Sequence, residues 1–154
     1  MTATSELQGD ELIATRHLKA SPADVWTAFT STDGVAAFWG GSHGTVPAES
    51  VVIDLQPGGE FSLDIRAPDG WARRLAFIYV SITEPAELVF DEPVTGLRTT
   101  VTVQPDGGGT LVTVHQRQLP AELRSEQARE GLTSILDALA AHLERRNPLD
   151  RRAL

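Results

Sequence analysis

The sequence predicts an α+β domain in which a curved antiparallel sheet of about six to seven strands wraps around one long C-terminal helix. Three observations predict it. Residues 120–147, PAELRSEQAREGLTSILDALAAHLERRN, set Leu132, Ile135, Leu136, Leu139 and Leu143 at helical spacing on one apolar stripe. From Val51 to Gln118 the pattern changes to period 2, in runs separated by short turns. Two short helical segments follow a first strand and precede these runs. A helix of that final length spans about 40 Å at 1.5 Å per residue. The large surface available to its stripe is the preceding sheet. Strands joined by short turns imply a meander, and twist curls a meander around the helix.

Each element has its own signal. Residues 1–10 are polar and read as a loose tail, as does the C-terminal 148–154, which leaves one domain over 11–147. Leu12 to Ala20 reads as the first strand. In SPADVWTAF, Ser21 is an N-cap, Pro22 the first helical residue and Asp24 the partner in a capping box, with Val25, Trp26 and Phe29 on the buried face. A second helix over about 33–39 ends at the glycine-rich GGSHG. Val51–Leu55 is a strand before the Pro57-Gly58-Gly59 turn. Phe61, Leu63 and Ile65 then alternate with Ser62, Asp64 and Arg66. Trp71–Ile82 is a longer strand, apolar at every position from Leu75 to Val80, which requires either two covered faces or a bulge. Glu87–Asp91, Leu97–Gln104 and Thr110–Gln118 complete the sheet, the last two joined across PDGGG.

Composition narrows the function classes. The 154 residues fit one domain and contain no cysteine, which removes disulfides, thiolate metal sites and cysteine nucleophiles. A formal charge of −8 argues against nucleic acid as a partner. No apolar run approaches the ~20 residues of a membrane span, and the acidic N-terminus lacks a signal-peptide profile, so a cytoplasmic protein is expected. Twelve arginines against the single Lys19 suggest a GC-rich bacterial genome.

The order and spacing of several segments resemble one known family. RHLKASPADVWTAFTSTDGVAAFWG resembles the opening of SRPBCC (START-like, helix-grip) domains, in the branch named after the activator of heat-shock-protein-90 ATPase. VVIDLQPGGEF is similar to that branch's strand with an aspartate before a Gly-Gly turn, ITEPAELVF to its proline turn, and TVTVQPDGGGTLVTV to its penultimate hairpin. EGLTSILDALAAHLE is similar to its terminal helix. The resemblance runs from about Ile13 to Leu143. It implies a START/Bet v-like helix-grip fold with an apolar cavity between sheet and helix and a mouth near the two short helices. It further implies binding of a hydrophobic small molecule, or, as in polyketide cyclase relatives, its cyclisation. Co-chaperone activity goes with a further domain and a eukaryotic partner, for which this chain has no room. The sequence departs from the family pattern at Leu132, where tryptophan is common, at Phe77, where glycine is usual, and at Gln116, where histidine or glutamate often sits.

Candidate chemistry is sparse. His17 and His115 have outward parity, and His142 lies near the exposed end of the last helix. His43, in the glycine-rich loop, is either an ordinary loop residue or a ligand contact at the mouth. No histidine pair has metal-ligand spacing, and no nucleophile elbow, P-loop or dinucleotide fingerprint is present, so neither metal nor cofactor is expected. The aromatics Phe38, Trp39, Phe61, Trp71, Phe77 and Tyr79, with Leu63, are either core or cavity lining. Phe38 and Trp39 precede the glycines that would let them act as a gate. Leu132, Ile135, Leu136 and Leu139 are the helix contribution, and Gln116 continues the inward parity of Val112 and Val114. The expected function is non-catalytic binding of a hydrophobic or aromatic small molecule by a monomer or homodimer. The alternatives are a polyketide cyclase/aromatase drawing on Tyr79, Gln116 or Arg98, a natural-product sequestration or resistance protein, and a protein-interaction module.

Overall fold

The computed structural model describes residues 3–42 and 44–146. One sheet contains eight strands: β1 (Thr4–Gln8), β2 (Glu11–Leu18), β3 (Val52–Ile53), β4 (Glu60–Arg66), β5 (Ala72–Thr83), β6 (Glu87–Asp91), β7 (Arg98–Asp106) and β8 (Gly109–Arg117). Their spatial order is β1-β2-β8-β7-β6-β5-β4-β3, with every neighbouring pair antiparallel. The strands from β3 to β8 form the expected meander, and β2 closes against β8 from Leu12↔Gln116 to Leu18↔Thr110.

The eighth strand is β1, in the segment expected to be a loose tail. Its alternating exposure, with Ser5 and Leu7 half-buried, shows why composition hid it. A strand at a sheet edge needs apolar groups on one face only, and Thr4, Glu6 and Gln8 occupy the other.

Both short helices begin at their caps. In α1 (Pro22–Thr30) the Ser21 Oγ accepts from the Asp24 N–H at 3.1 Å, and in α2 (Thr32–Phe38) the Ser31 Oγ accepts from the Gly34 N–H at 3.1 Å. The apolar run in β5 keeps strand alternation, with Phe77 and Tyr79 buried and Ile78 and Val80 exposed on the outer face, and a bulge shifts the register between Tyr79 and Ser81. Gly107 and Gly108, with φ of 55° and 87°, form the two-residue turn between β7 and β8, where a type I′ geometry requires positive φ at both positions.

The long helix is shorter than its periodicity predicts. Pro120 opens a single 3-10 turn at Ala121–Leu123, and Arg124 leaves helical geometry at φ −88°, ψ 67°. Helix α3 (Glu126–Arg146) then starts at Ser125, whose Oγ accepts from the Ala128 N–H at 3.2 Å. Its 21 residues span about 31 Å. Leu132, Leu136, Leu139 and Leu143 are buried along it. His142, expected near an exposed end, is buried at 9% exposure. The 148–154 tail lies outside the described residues.

Two features hold α3 against one side of the sheet. Asp137 Oδ1 accepts from the Ala3 N–H at 2.8 Å and from Arg16 Nε at 3.0 Å, while Arg129 Nε donates to Ser5 Oγ at 3.2 Å. The helix therefore sits close to β1, β2, α1 and α2. Its opposite flank faces the central strands across a gap.

Candidate binding cavity

That gap is a cavity of about 280 Å³. The N-terminal half of α3 contributes Ala128, Gly131, Leu132, Ile135 and Leu136. The sheet contributes Ile65 of β4, Leu75 and Phe77 of β5, Phe90 of β6, Val101 of β7 and Val114 of β8. Phe29, Trp39, Leu97, Leu119 and Leu123 close the remaining sides. These side chains share the inner face because strand side chains alternate, and cross-strand pairing aligns them in rows. One such row runs Tyr79–Phe90–Thr99–Gln116–Leu12 across five strands.

Gly131 explains why the space exists on the helix side. A Cβ added there would meet nothing within 4 Å. Glycine in a helix interior costs about 1 kcal/mol relative to alanine. No strand packs against that backbone; cavity space does.

Of the residues singled out from sequence, Trp39, Phe77, Gln116, Leu132, Ile135 and Leu136 line the cavity. Six others do not. Phe38 is buried in the core, edge-on to Phe29 with centroids 5.1 Å apart. Phe61 and Tyr79 stack at 5.7 Å beneath the lining, and Leu63 and Leu139 are fully buried in the core. Trp71 is 54% exposed at the start of β5. His43 lies outside the described residues. Trp39 packs edge-on to Phe61 at 5.2 Å and lies within 6.2 Å of Phe77 and Phe90, which makes it one wall of an aromatic box.

Gly41 and Ser42, which follow Trp39, lie against Ser134 of α3. Ser42 N–H donates to Ser134 Oγ at 3.3 Å, and Gly41 holds φ +60° with no room for a Cβ against Ser134.

Four polar side chains join the lining: Arg73, Glu92, Thr99 and Gln116. Thr99 and Gln116 are cross-strand partners, and neither side chain has a hydrogen-bond partner among the described residues. Glu92 was missed in the sequence because it follows a strand end in a turn-like PVTG context. It nevertheless shares the parity of the inward Leu88 and Phe90, which was the available signal. Arg98 and Tyr79 are not part of this wall. Arg98 is on the outer face, donating to Asp91 at 2.8 and 2.9 Å, and these bonds hold the Asp91 carboxyl below its ordinary range. Tyr79 has a buried hydroxyl, and its phenol is pushed well above its ordinary value by burial and by the nearby Asp54 charge. His17 and His115 are on the outer face as their parity predicts, His115 Nε2 lying 2.6 Å from Glu11 Oε1. Among the described residues no three His, Asp or Glu side chains converge to hold a metal ion, and no helix is long and apolar enough to cross a membrane.

A curved antiparallel sheet, a long C-terminal helix and a cavity between them define a helix-grip protein. Residues 19–144 match the family described as Activator of Hsp90 ATPase homolog 1-like protein, and the chain belongs to that family. No curated protein matches it. Among solved structures it is similar to a Rhodobacter sphaeroides protein (TM-score 0.79, 20% identity, 93% of this chain and 98% of that chain covered). A Nitrosomonas europaea protein is alike to a similar degree (0.80, 19%, 90% and 96%). So is the AHSA1-like protein of Aeromonas hydrophila (0.74, 23%, 88% and 92%). At these identities the likeness is one of fold. The three positions at which the sequence departs from the family pattern, Phe77, Gln116 and Leu132, all line the cavity.

Proposed function

We propose that the protein binds a hydrophobic or aromatic small molecule in this cavity and leaves it chemically unchanged. The observation that carries the reading is the apolar hollow between the N-terminal half of α3 and the central strands, with an unfilled glycine in its wall. Ligand sites are concave, mainly apolar and fitted with a few convergent polar groups, as this one is. Size sets the ligand's scale. An apolar cavity of about 150 Å³ holds benzene, so about 280 Å³ suits a body of one or two rings. The cyclase alternative would be favoured by an inward cluster of at least two of Tyr79, Arg98 and Gln116, and of these Gln116 lines the cavity.

Native mass spectrometry of the protein purified from its own host tests the reading. A small molecule released on denaturation, in about one copy per chain, is the expected result. A bare chain that also fails to bind the apolar fluorophore Prodan saturably contradicts it.

A further inference from the structure

The least expected group in the cavity wall is Glu92. It is 7% exposed, and buried carboxylates are normally paired. Its Oε1 accepts one hydrogen bond, from Thr95 Oγ1 at 2.6 Å. Among the described residues no arginine, lysine or histidine forms an ion pair with it. A carboxylate has about four acceptor sites, so most of its capacity is unused. The backbone holds it in place: Glu92 N–H donates to the Leu97 carbonyl at 2.8 Å, and Gly96 N–H donates to the Glu92 carbonyl at 2.8 Å. The hairpin thus fixes the Glu92 backbone on the inner-face parity, and the Thr95 hydroxyl holds one carboxylate oxygen.

The neighbouring wall is polar in the same direction. Thr99 lies two residues beyond Leu97 on the inner face, and Gln116 faces it across the β7–β8 ladder. Glu92, Thr99 and Gln116 thus place hydrogen-bond acceptors on the cavity wall among mainly apolar side chains.

We infer that the ligand is an arylalkylamine cation, its ring in the aromatic box and its ammonium group on Glu92. This rests on the reading of the cavity as a ligand site and names the ligand's chemistry. An ionised carboxylate only accepts hydrogen bonds, so its partner must donate. A charge-assisted N–H···O bond is among the stronger contacts available. The chain's net charge of −8 adds a field that favours cations. Arg73 also borders the cavity, but it is exposed and screened by solvent, whereas Glu92 is not.

Three probes that share one ring and a two-carbon arm separate the outcomes: phenethylamine, 3-phenylpropionate and ethylbenzene, titrated by Prodan displacement. The wild-type protein is expected to bind phenethylamine about tenfold or more tightly than 3-phenylpropionate. Glu92→Gln is expected to weaken phenethylamine binding about tenfold and so to erase most of that preference. Equal or tighter binding of 3-phenylpropionate overturns the inference, as does a preference that survives Glu92→Gln. If the variant does not fold, the wild-type ranking of the three probes decides. Ethylbenzene binding without an amine advantage sinks the inference and leaves the cavity reading standing. Failure of all three probes and of Prodan itself sinks both.

Discussion

Arg16 donates to Asp137 at 3.0 Å, and that contact ties the long helix to one flank of the sheet. The same carboxylate oxygen accepts the N–H of Ala3, the residue before β1, so a single side chain fastens the start of β1, β2 and α3 together. The helix is held on one side and left clear of the central strands on the other.

Asp137→Ala removes the acceptor of both bonds and leaves a mostly buried guanidinium without its partner. Bonds to charged groups contribute about 1.5–3 kcal/mol each, and solvent around the half-exposed Asp137 reduces this. Urea denaturation should show a loss of about 1–3 kcal/mol. An unchanged midpoint would mean that the apolar stripe alone sets the helix position.

Tyr79 makes the opposite kind of prediction. Its hydroxyl is buried with no hydrogen-bond partner among the described residues, and its ring stacks on Phe61. Tyr79→Phe keeps the ring and removes a group whose burial goes uncompensated. Stability should stay level or rise by about 1 kcal/mol, read as a higher midpoint in thermal unfolding.

His142 sets an acid limit. Burial, reinforced by Arg146 and Arg145, lowers its pKa, and its Nε2 has no partner among the described residues. The unfolded chain therefore takes up the proton first as the pH falls. The neutral ring contributes its full stability above about pH 6.5, the ordinary imidazole value, and that contribution is lost as the pH drops through the lowered folded value. Circular-dichroism melts between pH 7 and pH 5 should show the wild-type midpoint falling further than that of His142→Leu. Parallel curves would remove His142 from the account.

Periodicity made the faces of the elements legible but not the distance between them. Leu132, Leu136 and Leu139 are equivalent on the α3 stripe, yet Leu132 and Leu136 border the cavity while Leu139 is packed in the core. Phe61 and Phe77 are likewise equivalent in their strands, and Phe77 alone reaches the open space. The side chain opposite each residue decides this, and that neighbour belongs to another element. Caps were legible because Ser21 and Pro22 act locally. Strand β1 was not, because an edge strand has no apolar run, and Glu92 was not, because a charged residue after a strand reads as a turn. Gln116 lay in between: its parity placed it on the inner face, and its neighbours Thr99 and Leu12 came from pairing that the sequence does not state.

Filling the hollow from the helix tests the central claim most directly. Gly131→Leu places a side chain where a Cβ meets nothing within 4 Å, and it also raises helix propensity by close to 1 kcal/mol. Wild-type protein and variant should be titrated with Prodan side by side, with thermal unfolding as the check on folding. Saturable binding of one fluorophore per chain by the wild type, abolished in a variant at least as stable, is the predicted result. Equal binding by both proteins, or none by the wild type, would contradict a ligand cavity between α3 and the sheet.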